Sequence, residues 1–245
     1  MPNCGSQVFL CDLPVRFDTY VGCSHACAYC FVTQKYDITK IKPGESAAAL
    51  RSFIAGKRTK ETNWCDWDIP LHWGGLSDPF QPAEAHYGRS YECLQIFADT
   101  GYPVSFSTKG EIIGTPKYLD VLKDCNAVAQ VSLVSPRYDQ IEPGAPTFTE
   151  RLALLERLAG AAQRVIVRIQ PYAVGLLGDL LSAIPQYRDA GVYGVTIEGM
   201  KRQRKKAGFV KMGGDFVYPT DVLRRDYEKI RHACHENGLA FYSAE

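Results

Sequence analysis

The chain has 245 residues, 46% of them hydrophobic, which is enough to bury a substantial core in one domain of barrel size. Lys and Arg number 28 against 27 Asp and Glu, so overall charge singles out no class of partner. No apolar run approaches a membrane span, nine cysteines suit no disulfide framework, and Met1-Pro2-Asn3-Cys4-Gly5 lacks an export signal; a reducing, cytoplasmic setting without membrane contact is expected.

Short apolar runs alternate with helical stretches along the chain, the mark of a parallel α/β protein. Residues 15–20 read as a first strand leading into a cysteine-rich loop, followed by a helix over 45–55 and a strand over 69–73. A helix over 84–99, a strand over 104–107 and a short helix over 116–124, with Pro116 at an allowed early position, come next. Residues 127–134 form a continuous β-rich run of the buried kind. Leu152, Leu155 and Leu158 place a helix over 147–158, ahead of a strand over 165–169. A helix over 176–189, a strand over 192–197, a helix over 221–236 stopped by Asn237-Gly238, and a last strand over 239–242 complete the order. Right-handed crossovers wind such units into a single-domain partial (β/α)6 barrel of TIM type, spanning 1–245.

In such folds the working residues gather just beyond the strands. Polar residues and glycines stand there at five successive strands: Gly74-Gly75-Leu76-Ser77-Asp78-Pro79, then Ser107-Thr108-Lys109, then Ser132 and Ser135, then Arg168 and Gln170, then Glu198-Gly199. Gly74 and Gly75 permit close backbone approach by a ligand, or serve an ordinary βα turn that needs positive φ. Asp78 before Pro79 also fits a turn cap, and Lys109 and Arg168 also fit structural ion pairs at a barrel rim.

Cys23, Cys27 and Cys30 lie in Gly22-Cys-Ser-His-Ala-Cys-Ala-Tyr-Cys30, three thiols on one short loop. Iron–sulfur clusters are commonly held by four cysteines, so a set of three points to a cubane with one iron left open. A Cys3His zinc site completed by His25 or His72 is the alternative, although zinc ligands usually come as two short-gap pairs.

The loop resembles the signature of the radical S-adenosylmethionine superfamily, Cys-x3-Cys-x2-Cys with an aromatic, here Tyr29, before the last cysteine. The resemblance implies a 4Fe–4S cluster on Cys23, Cys27 and Cys30 that binds and reductively cleaves S-adenosylmethionine. It implies that Tyr29 packs near the adenine and that the segment from Gly74 and Gly75 to Ser77 and Asp78 meets the amino group or ribose. Lys109 or Arg168 would take the cofactor carboxylate and Glu198 the ribose, with a flavodoxin-like protein as electron donor.

Together with Phe31 and the block Gly75-Leu-Ser-Asp-Pro-Phe-Gln-Pro82, the loop is similar to the spore photoproduct lyase-like branch over roughly residues 15–200. That branch places a hydrogen-donating cysteine where this chain has Gly75, and a tyrosine where it has Phe31. Cys65 precedes the second strand and is a spatial substitute to test; Cys93 and Cys125 read as buried small hydrophobes, and Cys4, Cys11 and Cys234 have no assigned role. Modification or rearrangement of a nucleobase, in DNA or as a nucleotide, therefore fits better than dimer repair.

Lys201-Arg-Gln-Arg-Lys-Lys206 carries five positive charges beside the barrel mouth, a footprint for phosphates or simply a solvated loop. Gly208, Gly213 and Gly214 mark about 200–219 as a mobile segment, where Phe209, Phe216 and Tyr218 either stack on a base or close the barrel's side. Trp64, Trp67 and Trp73 read as core. Peptide modification and a metal-stabilised nucleic-acid binding module are the competing readings.

Overall fold

The computed structural model describes residues 3–4, 15–34, 37–65 and 69–243. The chain begins with β1 (Asn3–Cys4), β2 (Val15–Phe17), β3 (Tyr20–Val21), β4 (Lys42–Pro43), α1 (Ala47–Ile54) and β5 (Leu71–Trp73). It continues through α2 (Glu84–Tyr87), α3 (Arg89–Thr100), β6 (Val104–Thr108), α4 (Pro116–Leu122), β7 (Ala127–Ser132), α5 (Phe148–Ala159) and β8 (Arg164–Tyr172). The last part holds α6 (Leu177–Asp189), β9 (Gly194–Gly199), β10 (Lys201–Arg202), β11 (Val210–Met212), β12 (Asp215–Val217), α7 (Thr220–Glu236) and β13 (Ala240–Ser243).

The main sheet runs in the order β1-β2-β5-β6-β7-β8-β9-β13. Every pair from β2 to β13 is parallel and β1 adds antiparallel to β2. Strand order follows chain order, and no pairing among the described residues returns β13 to β2. Six βα units and a final strand thus make the open, partial barrel expected from the alternation of strand and helix signals.

Two elements differ from the sequence expectation. The helix over 84–99 is broken at Gly88, whose φ of 63° no continuous helix accepts, into α2 and α3. The break lets the buried Glu84 carboxylate accept from the Ser90 and Tyr91 amides at 2.8 Å each and from the Tyr118 hydroxyl at 2.6 Å. The first strand splits at Asp18 and Thr19, whose side chains bond elsewhere: Thr19 Oγ1 meets Ser90 Oγ at 2.8 Å. Local signals succeed elsewhere. Thr147 and Glu150 form a capping box at the head of α5, Pro116 opens α4, and α7 ends at Asn237 before Gly238 with φ 71°.

The outer face of the sheet is apolar and packs under the helices. Its centre is Trp73, fully buried against Phe17, Phe80 and Phe97 at centroid distances of 6.0, 5.2 and 5.6 Å. Burying each of these rings contributes about 1.5–3 kcal/mol. Trp64, by contrast, is 43% exposed, and Trp67 lies outside the described residues. The period of two along a strand sends the alternate positions inward: His72, Ser105 and Ser107, Gln130 and Ser132, Arg168 and Gln170, Glu198. The concave face is polar across five strands, so the residues expected at strand ends share one wall.

The segment at about 200–219 folds into a small antiparallel sheet, β10-β12-β11. Phe209 stacks on Tyr218 at 4.2 Å. Cys93 is fully buried and Cys125 nearly so, the small-hydrophobe role expected of both, and Cys234, to which the sequence assigned no role, is fully buried as well. Cys11 lies outside the described residues, as does the side chain of Cys4.

Candidate active site

A cavity of about 530 Å³ opens at the C-terminal ends of the parallel strands. Cys23, Cys27 and Cys30 line it, and so do Tyr29, Gly74, Gly75, Ser77, Asp78, Lys109, Arg168 and Glu198. Every site residue read from the sequence is therefore in one place. Its size falls in the range of small-molecule and cofactor sites.

The cysteine loop is built by partners distant in sequence. Gly22 turns with φ 84°, and a Cβ there would lie 2.8 Å from the Ile38 carbonyl oxygen. The Cys23 amide donates to that same oxygen at 2.9 Å. The Asp-Pro-Phe-Gln block then grips the loop from the other side. Ser77 Oγ donates to the Gly22 carbonyl at 2.6 Å, Gln81 Nε2 donates to the same carbonyl at 3.1 Å, and Gln81 Oε1 accepts from the Ser24 amide at 2.9 Å. The two sequence blocks that carry the resemblance are thus contact partners.

His25 is the central bolt. It is 2% exposed, with Nε2 3.0 Å from Asp78 Oδ2 and Nδ1 2.9 Å from the Gly144 carbonyl oxygen. Both partners are oxygen acceptors, so each ring nitrogen has one within hydrogen-bond distance. Asp78 accepts in addition from the Lys109 amide at 2.6 Å, Thr108 Oγ1 at 2.7 Å and the Phe80 amide at 2.9 Å. Burial pushes the Asp78 carboxyl up, but the facing His25 and these donors outweigh it and hold it at about 2. The contact with the Phe80 amide is the turn cap expected of an aspartate before proline. Since both nitrogens of His25 are engaged, it is not a fourth metal ligand, and the zinc site completed by His25 is corrected on that ground. His72 on β5 bonds Ser107 Oγ at 3.1 Å; burial, then Arg168 and Arg16, push its pKa down to about 3 and keep it neutral.

The thiols are free and partly exposed. Burial and the nearby Asp78 push Cys23 up to about 12, and burial raises Cys27, so each needs a bound cation to become a thiolate. Among the described residues no three His, Cys, Asp or Glu side chains converge on a single metal ion. The donor set fits a group spread over three thiolates, with no imidazole to add.

The loop rests on a segment that sequence reasoning passed over, residues 138–144. The Ala28 amide donates to the Ile141 carbonyl at 2.8 Å, and a Cβ on Gly144 would lie 2.0 Å from the Ser24 carbonyl oxygen. Glu142, 1% exposed, accepts from the Tyr29 hydroxyl and pairs with Arg151 at 2.7 Å and with Lys109 Nζ at 3.8 Å. Lys109 also lies 5.7 Å from the centre of the Tyr29 ring. An acidic residue in an undistinguished loop left no periodic or spacing signal, which is why it went unread.

The floor is one hydrogen-bonded row. Arg168 donates to Ser107 Oγ at 3.1 Å, to Gln130 Oε1 at 2.9 Å and to Gln170 Oε1; Gln170 donates to Glu198, which also pairs with Lys201. Gly74 has φ 89°, the positive-φ turn reading, while Gly75 has Arg16 across it: a Cβ would lie 2.3 Å from Arg16 Cδ. Cys65, the suggested substitute, is 9% exposed in the hydrophobic core and does not line the cavity.

No protein-family model matches the chain. Uncharacterised proteins of Mycobacterium bovis and Mycobacterium tuberculosis are 28% identical over 213 residues, a match covering 80% of this chain and 62% of each relative. The chain thus spans less than two thirds of the curated relatives it matches. Among solved structures, a spore photoproduct lyase variant with dinucleoside spore photoproduct superposes with a TM-score of 0.77 at 14% identity, over 99% of this chain and 80% of that one. A second lyase variant, with bound S-adenosylmethionine and the same dinucleoside, gives 0.76 at 14% identity, over 99% and 81%. Streptococcus suis SuiB bound to its precursor peptide gives 0.65 at 11% identity, over 96% of this chain and 49% of that one. The fold is shared with these proteins, and the resemblance read from the cysteine loop and the Asp-Pro-Phe-Gln-Pro block holds at that level.

Proposed function

We propose that this chain is a radical S-adenosylmethionine enzyme acting on a nucleobase, in DNA or as a nucleotide. The observation that carries the reading is the convergence of three free thiols from one loop with eight further residues around a single cavity. Cys23, Cys27 and Cys30 would hold a 4Fe–4S cluster. When bound, that cluster supplies the electron that cleaves S-adenosylmethionine to a 5′-deoxyadenosyl radical.

The chain's own residues do the rest. His25, Ser77, Asp78 and Gln81 hold the loop rather than the ligand, since their polar atoms are taken up in the clamp. The Gly74–Gly75 turn presents backbone without side chains to the cofactor's amino group. Lys109, kept in place by Glu142 and the Tyr29 ring, offers an ammonium to its carboxylate. Tyr29 flanks the adenine, and Glu198 and Gln170 are placed for ribose or substrate hydroxyls. Substrate enters past the small sheet and meets the polar floor of His72, Ser107 and Arg168. A flavodoxin-like reductant is the proposed electron donor, and the cytoplasm the proposed setting; no helix among the described residues is long and apolar enough to cross a membrane. The fold similarity to SuiB, whose structure holds a precursor peptide, keeps peptide modification as the second reading.

Anaerobic reconstitution with iron and sulfide, followed by reduction with S-adenosylmethionine, tests the reading. 5′-Deoxyadenosine should form and should vanish in Cys30→Ala with the fold retained. Stoichiometric zinc in place of iron, without cleavage, would refute it.

A further inference from the structure

The small sheet presents two unlike faces. Lys201 pairs with Val217 in register and Arg202 with Phe216; continuing that register just past the end of β10 brings Gln203 towards Asp215. Lys201, Gln203 and Asp215 all line the cavity, as alternation on two adjacent strands requires. Arg202, Phe216 and Lys211 occupy the opposite face, in register with one another. The basic run is therefore divided. Lys201 is engaged with Glu198, Arg202 faces away, and Arg204, Lys205 and Lys206 stand exposed at the rim.

The face over the cavity has its one cation, Lys201, taken up by Glu198. It offers a carboxylate beside a primary amide, and among the described residues Asp215 takes no hydrogen bond or ion pair. A carboxylate accepts two parallel N–H bonds, and the neighbouring amide can donate one. The complementary edge has two adjacent N–H donors followed by an acceptor. Guanine has that edge in N1–H, the 2-amino group and O6. Thymine and uracil put carbonyl oxygens beside their single N–H, and adenine sets a ring acceptor against the carboxylate.

We propose that Asp215 and Gln203 form a specificity-determining pair that reads the Watson–Crick edge of a guanine brought to the mouth of the cavity, with Arg204, Lys205 and Lys206 on the adjoining phosphates. This rests on the nucleic-acid form of the function proposed above, and its test needs neither cluster nor turnover.

The test is fluorescence anisotropy of the metal-free protein with labelled single-stranded oligothymidine carrying one guanine. Replacing the guanine with hypoxanthine, which lacks the 2-amino group, should weaken binding by about fivefold or more, the lower end of what a bidentate pair discriminates. Asp215→Asn exchanges one acceptor for a donor and should shift the preference from guanine to xanthine, an inversion that a misfolded variant cannot produce. Equal binding of the guanine, hypoxanthine and unmodified thymidine strands would overturn the assignment and leave the nucleic-acid reading standing. Asp215-dependent binding of an arginine peptide, with no binding of any strand, would overturn both.

Discussion

Removing His25 tests whether the two sequence blocks are one mechanical unit. In His25→Ala, Asp78 keeps the Lys109 amide, Thr108 Oγ1 and the Phe80 amide but loses its imidazole partner, and the Gly144 carbonyl loses its contact with the ring. The lowering of Asp78 from 3.8 to about 2 corresponds to about 2.5 kcal/mol at about 1.4 kcal/mol per unit. Breaking one side of a buried pair costs about 3–5 kcal/mol, and three surviving donors favour the low end, so a loss of about 3 kcal/mol is expected. Urea unfolding of the metal-free protein at pH 7, followed by circular dichroism, measures it. A cycle with Asp78→Asn should return a coupling of about 1.5 kcal/mol or more. Because the folded-state pKa lies below the unfolded value, the contribution is complete above pH 3.8 and is lost as pH falls towards 2. His25→Ala should therefore have a shallower acid limb in that window. Iron uptake on reconstitution should fall as the loop loosens. A cost below about 1 kcal/mol, or a coupling near zero, would refute the clamp.

Glu142→Gln keeps an acceptor for Tyr29 but strips the charge from beside the fully buried Arg151. It should cost about 3–5 kcal/mol in a denaturant melt, with partial recovery on adding Arg151→Met. Gly144→Ala drives a methyl into the Ser24 carbonyl at 2.0 Å; a loss of about 1–3 kcal/mol and reduced iron binding are expected, and an unchanged Tm would refute the contact. His72 is held near 3 against 6.5 in the unfolded chain, so the unfolded state binds the extra proton between those values and stability falls as pH drops from 6.5 towards 3. At pH 5 that penalty is about 2 kcal/mol, and His72→Gln should remove most of it in a comparison of melts at pH 5 and pH 7.

The cysteine spacing, the strand and helix order and the polar residues after each strand were all legible in the sequence. Each is a short-range property: hydrophobic period, cap chemistry and motif spacing act within a few residues. The order of signals sufficed to place Gly74, Lys109, Arg168 and Glu198 around one cavity, because parallel strands in sequential order bring their C-terminal ends together. Tertiary structure alone decided what those residues touch. Asp78 and His25 are 53 positions apart, and His25 and Gly144 119 apart, distances at which no local pattern records a contact. Glu142 and Gly144 gain their roles only from the loop that settles on them. The division of the basic run between two faces of a small sheet follows from strand register, and its composition alone held no trace of Asp215 and Gln203 lining one cavity. Sequence determined which chemistry was present; pairing between distant segments determined which groups are consumed in holding the site and which face the cavity.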